Sequence, residues 1–192
     1  NKTANETGEL TANVTLEMTG TSETKQTLAD VVFAIDSSGS MSWNDPNELR
    51  KDAVKNFIDK MNSSKDGVGV VNWDNTIQSE EMLTSNFNAA KDKVDAGYDG
   101  ATTNMNLAII TSIAQLDGSI LSTDQRFIIL LTDGLWNAGS DPMVGAQTAA
   151  DKGYAIYTIG LSSSVNATLL QNIATLTGGE YYPASDASVL DS

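Results

Sequence analysis

The sequence predicts an α/β protein, a doubly wound and mostly parallel sheet with helices on both faces, preceded by one extra N-terminal strand. Two continuous apolar runs, residues 31–35 (VVFAI) and 127–131 (FIILL), have the character of strands buried on both faces. From Asp30 onward, runs of this kind alternate with segments of helical periodicity. No internal repeat or interior linker interrupts the alternation, so residues 29–192 are expected to form one domain and residues 1–28 a leading arm.

In the arm, Leu10, Ala12, Val14, Leu16 and Met18 alternate with polar residues, which predicts one half-buried strand, followed by a polar connector over 20–27. The first strand of the domain, 31–35, ends in polar and Gly residues. A helix over 48–61 follows, because Leu49, Ala53, Phe57 and Met61 recur on one face with charged residues between them. Residues 68–73 predict the second strand, and 76–83 a short edge strand beside it. Helices are expected over 88–96 and 104–116, the second packing through Leu107, Ala108, Ile110 and Ile113. After the strand at 127–131, Pro142 suits the first position of a helix running to Lys152, with Ser140 or Asp141 as its cap. A strand over 154–159, a helix over 167–176 and, past the Gly178-Gly179 break, a short strand over 180–182 complete the pattern.

The chain of 192 residues contains no His and no Cys. That excludes a Ser-His-Asp triad, a Cys nucleophile and an imidazole base, together with zinc sites built from His and Cys. Metal binding is left to oxygen ligands, which suit hard cations such as Mg²⁺, Ca²⁺ and Mn²⁺. A net charge of −14 argues against nucleic acid and anionic lipid as partners, although solubility alone accounts for the overall balance. No apolar run is long enough to span a bilayer, so no membrane insertion by this segment is expected. The chain starts at Asn1 without an initiator Met or a signal-like segment, the expectation for a piece of a larger, processed surface protein. Acceptor patterns for N-glycosylation at Asn1, Asn5, Asn13, Asn62 and Asn166 fit export, and the lack of cysteine points to a bacterial or archaeal cell surface or cell wall.

In a doubly wound sheet, ligands bind at the carboxyl ends of the strands, near the point where strand order reverses. The first apolar strand ends in Asp36-Ser37-Ser38-Gly39-Ser40, a D-x-S-x-S pattern whose Asp36, Ser38 and Ser40 oxygens can converge if the loop curls. The strand at 127–131 runs into Leu131-Thr132-Asp133-Gly134, which places a second carboxylate on the same edge. Between them, Thr102-Thr103-Asn104 opens a predicted helix and can turn a hydroxyl to the same spot. Any one of these loops is also a plain turn or helix cap. Three of them on one edge, all offering hydroxyls and carboxylates, make a site for a hard cation.

On these motifs the chain resembles the von Willebrand factor A family and its metal-ion-dependent adhesion site, over about residues 30–188. The resemblance implies a doubly wound, Rossmann-like sheet and direct metal ligation by Ser38 and Ser40. It implies Asp36 acting through water and hydrogen bonds, Thr103 from the middle loop, and Asp133 reaching the metal through water. Two departures stand out. Ala101-Thr102 occupies the place where the family often has Gly-Gly, which leaves Thr102 as an alternative ligand, and only residues 185–192 remain for the helix that follows the family's last strand.

Mg²⁺ takes six oxygens in near-octahedral geometry and keeps some waters. An inner shell of mostly neutral hydroxyls leaves its charge partly uncompensated and open to an incoming carboxylate. Trp43 and Trp136 lie just beyond two of the loops and form either an apolar rim or packing beneath them. Trp73 is expected in the core, and Glu80-Glu81 on a solvated edge. The resulting expectation is a non-enzymatic adhesion module that uses Mg²⁺, with Mn²⁺ or Ca²⁺ as alternatives, to bind an Asp or Glu carboxylate of a protein ligand. The Thr-rich leading segment resembles the one that precedes this domain in cell-wall proteins, which favours a microbial surface adhesin or pilus-tip relative. The alternative is a stalk domain whose metal only stabilises loops. Phosphoryl transfer is disfavoured, since no Lys lies beside the motifs and Asp36 is not the start of a D-x-D pair.

Overall fold

The computed structural model describes residues 28–98, 100, 102–119, 125–162 and 165–184. The expected leading strand at 10–18, its connector, and residues 185–192, which remain for the family's final helix, lie outside the described residues.

The described chain runs β1 (Ala29–Asp36), α1 (Met41–Asn44), α2 (Leu49–Lys60), β2 (Gly67–Trp73), β3 (Ile77–Thr84), α3 (Phe87–Asp95), α4 (Met105–Asp117), β4 (Gln125–Thr132), α5 (Pro142–Asp151), β5 (Ala155–Gly160), α6 (Ala167–Thr177) and β6 (Tyr181–Pro183). The strands form one six-stranded sheet in the order β3-β2-β1-β4-β5-β6. All neighbours are parallel except β3, which pairs antiparallel with β2 at the edge. This is the doubly wound α/β fold expected from the sequence. Strand order reverses between β1 and β4, so the crevice suited to a ligand opens at their carboxyl ends.

Alternate residues of each central strand point to opposite faces, and both faces are covered. Val32 and Ala34 of β1 join Ile128 and Leu130 of β4 in a core with Met105, Ile109, Ile113 and Leu116 of α4. Val31, Phe33 and Ile35 join Ile129 and Leu131 on the other face, against Val54 and Ile58 of α2 and Ala90 and Val94 of α3. Two-sided burial explains why these strands are apolar throughout rather than alternating. Trp73 is fully buried, as expected.

Three features correct the sequence reading. A four-residue helix, α1, follows the D-x-S-x-S loop, where the sequence reading assigned no element. In α2 the core face is carried by Val54 and Ile58, with Arg50 and Lys51 also buried, while Phe57 is largely exposed and meets Phe33 edge-on at 5.4 Å. The rotation follows from a buried ion pair: Arg50 Nη1 donates to Asp45 Oδ2 at 2.9 Å, and Asp45 also accepts the backbone N–H groups of Leu49 and Arg50, so it satisfies the open start of the helix. In α4, Ile110 is exposed and Ile109 is buried, because Ser112 and Gln115 occupy the inner face. Their side chains donate to the carbonyls of Ala108 and Val70.

Candidate metal centre

β1 and β4 are hydrogen-bonded in parallel with Ile35 opposite Leu131, so the residues that follow both strands emerge side by side. Asp36 is completely buried there. Its Oδ1 accepts the N–H of Ser38 at 2.8 Å, which curls the loop, and its Oδ2 accepts the hydroxyl of Thr132 at 2.6 Å. Thr132 Oγ1 in turn accepts the N–H of Gly134 at 2.9 Å. Gly134 has φ of +85°, and a Cβ there would collide with the side chain of Val165, so the turn that carries Asp133 requires glycine.

The curl brings the hydroxyls of Ser38 and Ser40 to 3.3 Å from one another. Ser40 immediately precedes α1, yet its hydroxyl caps no helical N–H. The helix-capping explanation of this serine therefore finds no support in the geometry. Asp133 is buried, with Oδ2 accepting from Asn44 Nδ2 at 2.9 Å and Oδ1 without a hydrogen-bond partner among the described residues.

The middle loop is tied to its neighbours through the backbone. Gly100 N–H donates to the Ser37 carbonyl at 2.6 Å, and Asn104 N–H to the Asp74 carbonyl at 2.8 Å. Thr103 N–H donates to Asn137 Oδ1 at 2.9 Å, while its carbonyl accepts the N–H groups of Asn137 and Ala138. Thr103 is 2% exposed, whereas Thr102 is exposed. Asn104 caps α4 through Leu107 N–H.

Burial first, and then the charge of Asp133, pushes the Asp36 carboxyl up to about 6, against hydrogen bonds from Thr132 and Ser38 that hold it down. No lysine or arginine is among the groups acting on it. The two cations flanking these loops, Arg50 and Lys51, are buried and engaged with Asp45 and Glu48. Among the described residues, two buried acids thus repel one another with no lysine or arginine acting on Asp36, an arrangement whose electrostatic cost a bound cation relieves. Among the described residues, no group of three or more carboxylate, imidazole or thiol side chains is placed to hold a metal. A cation at this edge would depend on hydroxyls, and the donor set present suits a hard ion.

Asp36, Ser38 and Ser40 form one hydrogen-bonded cluster, Asp133 is tied to it through Asn44, which binds Asp133 Oδ2 and the Ser40 carbonyl, and Thr103 is bound to the loop after Asp133. Trp43 is 70% and Trp136 39% exposed, the latter donating from its indole nitrogen to the Ala138 carbonyl at 2.7 Å. Both side chains are exposed rather than buried. Three participants escaped the sequence reading: Thr132, Asn44 and Asn137. Thr132 stands inside the motif that drew attention to Asp133, but nothing in its spacing reveals that it donates to Asp36. An apolar groove of about 400 Å³ between α2 and the β4–β5 face, lined by Phe57, Phe127 and Tyr157 among others, is separate from this cluster.

The model for the von Willebrand factor type A domain matches residues 30–192. Mouse collagen alpha-4(VI) chain is 34% identical over 155 residues, covering 77% of this chain and 6% of that protein. The mussel byssus proximal thread matrix protein 1, solved with a zinc-occupied MIDAS motif, superposes with a TM-score of 0.70 at 22% identity, over 85% of this chain and 45% of that one. The pilus adhesin SpaC from Lactobacillus rhamnosus GG gives 0.70 at 17% identity, over 87% of this chain and 30% of that one. At these identities the structural likenesses speak for the fold alone, and the chain spans only a small part of the length of its collagen relative.

Proposed function

Because the chain belongs to the von Willebrand factor type A family, we propose that it is an extracellular, cell-surface adhesion module of a larger protein that holds Mg²⁺ and binds a partner's carboxylate at the metal. The observation that carries this reading is the pair of buried acids, Asp36 and Asp133, beside the Ser38–Ser40 hydroxyl pair, with no lysine or arginine among the described residues acting on Asp36. Ser38, Ser40 and Thr103 would hold the metal directly. Thr103 is favoured over Thr102 because it is buried and fixed by Asn137. Asp36 has both oxygens engaged by Ser38 and Thr132, which suits a role one water away from the metal, and Asp133 offers its unpartnered Oδ1. The bound cation supplies the positive charge that the partner's carboxylate seeks. Trp43 and Trp136 flank that position as an apolar rim.

Ligation confined to the folded state stabilises it by mass action, by about 2.7 kcal/mol at one hundred times the dissociation constant. Millimolar Mg²⁺ or Mn²⁺ is therefore expected to raise the melting temperature, and EDTA to reverse the rise. Titration calorimetry with no heat of binding at millimolar metal would overturn the reading.

Acid should oppose the metal in a defined direction. Between its ordinary value of 3.8 and about 6, the folded protein keeps a proton on Asp36 that the unfolded chain has released. In metal-free protein this group's contribution to stability therefore declines as pH rises through that window. A metal that needs the ionised carboxylate competes with the same proton, so its affinity should drop by up to about tenfold per pH unit below about 6. Mn²⁺ titrations at pH 5, 6 and 7.5 test this, and equal affinities at all three would contradict it.

A further inference from the structure

Resting on the proposed metal site, we infer that Asn44 is a positioning residue that sets how Asp133 serves the metal. Asn44 closes the single turn of α1, its N–H donating to the carbonyl of Ser40 at 3.1 Å. The turn that displays the Ser40 hydroxyl therefore also delivers the Asn44 amide, whose Nδ2 donates to Asp133 Oδ2 at 2.9 Å across 89 residues of sequence. A carboxylate rotates about its last bond with two nearly equivalent settings, and a single donor on one oxygen selects among them. With Oδ2 committed to Asn44, the buried and unpartnered Oδ1 is the oxygen left for the cation.

The choice of an amide has a chemical consequence. A lysine at this place would neutralise Asp133 and compete with the metal, and an acid would repel it. Asparagine orients the carboxylate while leaving its charge intact. Engaging one oxygen also works against two-oxygen chelation by Asp133, which would put a full carboxylate into the inner shell and weaken the pull on a partner's acid. The same contact joins the loop after β1 to the loop after β4, the two halves of the candidate site.

The test is a double-mutant cycle on the intact chain, with Mn²⁺ as the probe, read by titration calorimetry and by metal-free urea unfolding. Wild-type binding of Mn²⁺ establishes the site independently of Asn44. Asn44→Ala and Asp133→Asn should each weaken Mn²⁺ binding by about 10–100-fold, the range for residues that orient a ligand. The double variant should be no weaker than Asp133→Asn alone, because Asn44 acts through that carboxylate. Asn44→Leu, which keeps the branched shape and lacks the donor, should match Asn44→Ala and stands in for it should the smaller side chain impair folding. Affinity within twofold of wild type in either Asn44 variant, or multiplicative losses in the double variant, would overturn the inference. Wild-type protein that binds no Mn²⁺ would instead defeat the metal site itself.

Discussion

Ser40→Ala is expected to remove the metal-induced gain in stability while leaving the metal-free protein close to wild type. Ser40 is proposed to hold the cation directly, and an octahedral shell around Mg²⁺ tolerates little distortion, so losing one oxygen should weaken binding at least tenfold. The metal-free cost should be small for a reason visible in the geometry. The hydroxyl caps no helical N–H and, among the described residues, hydrogen-bonds to the Ser38 hydroxyl alone at 3.3 Å, at the long end of the hydrogen-bond range. A serine that did cap α1 would lose about 0.5–2 kcal/mol on replacement, with or without metal. Urea unfolding of both proteins, each with EDTA and with saturating Mg²⁺, separates the two cases. A Ser40→Ala variant that keeps the full Mg²⁺-dependent gain shows that this hydroxyl is no ligand.

The parts of the fold that were legible in the sequence are those written in local pattern. Residues 31–35 and 127–131 announce two-sided burial, and Pro142 after Asp141 announces the start of α5, where Asp141 Oδ1 accepts the N–H of Met143. Faces of helices were harder. Periodicity placed Phe57 and Ile110 inward, but buried polar groups that hold hydrogen bonds, Arg50 in α2 and Ser112 with Gln115 in α4, took that space. A hydrophobic stripe cannot anticipate such exchanges, because Arg50 and Gln115 are admitted by partners outside their own helices, Asp45 and the Val70 carbonyl. α1 was missed for a related reason: four residues carry too little periodicity to register, and the turn is held by its position between the Ser40 loop and Asp133.

The site divides along the same line. Asp36, Ser38, Ser40 and Asp133 stand at the ends of strongly apolar strands, and topology alone brings such residues together. Thr132, Asn44 and Asn137 act through contacts made across 96, 89 and 34 residues, and no spacing along the chain encodes those. The exposure of Trp43 and Trp136 likewise depends on how the loops fold over the sheet edge.

A partner that docks at this edge should lose its metal-dependent affinity when one Asp or Glu is replaced by Asn or Gln. The acid edge offers a carboxylate no attraction of its own: Asp36 and Asp133 are like charges, and Arg50 and Lys51 are buried and engaged elsewhere. Under the proposed ligation, any pull on a partner's carboxylate comes from the cation, whose charge the hydroxyl ligands leave only partly compensated. An amide of the same shape keeps the carbonyl oxygen and loses the charge, and breaking a desolvated charge pair of this kind costs about 2–5 kcal/mol, or roughly 30- to several-thousand-fold in Kd. EDTA should cost the wild-type partner about as much, and should cost the amide variant little, because the acid and the metal act as one contact. A stalk domain whose metal only braced the loops would behave otherwise, with EDTA lowering stability while every carboxylate-to-amide change in the partner left affinity intact. Surface-binding measurements on acid-to-amide variants of a captured partner, each with Mg²⁺ and with EDTA, decide between these. If EDTA and the most damaging amide substitution weaken binding independently, so that their losses multiply, the carboxylate does not enter the metal position.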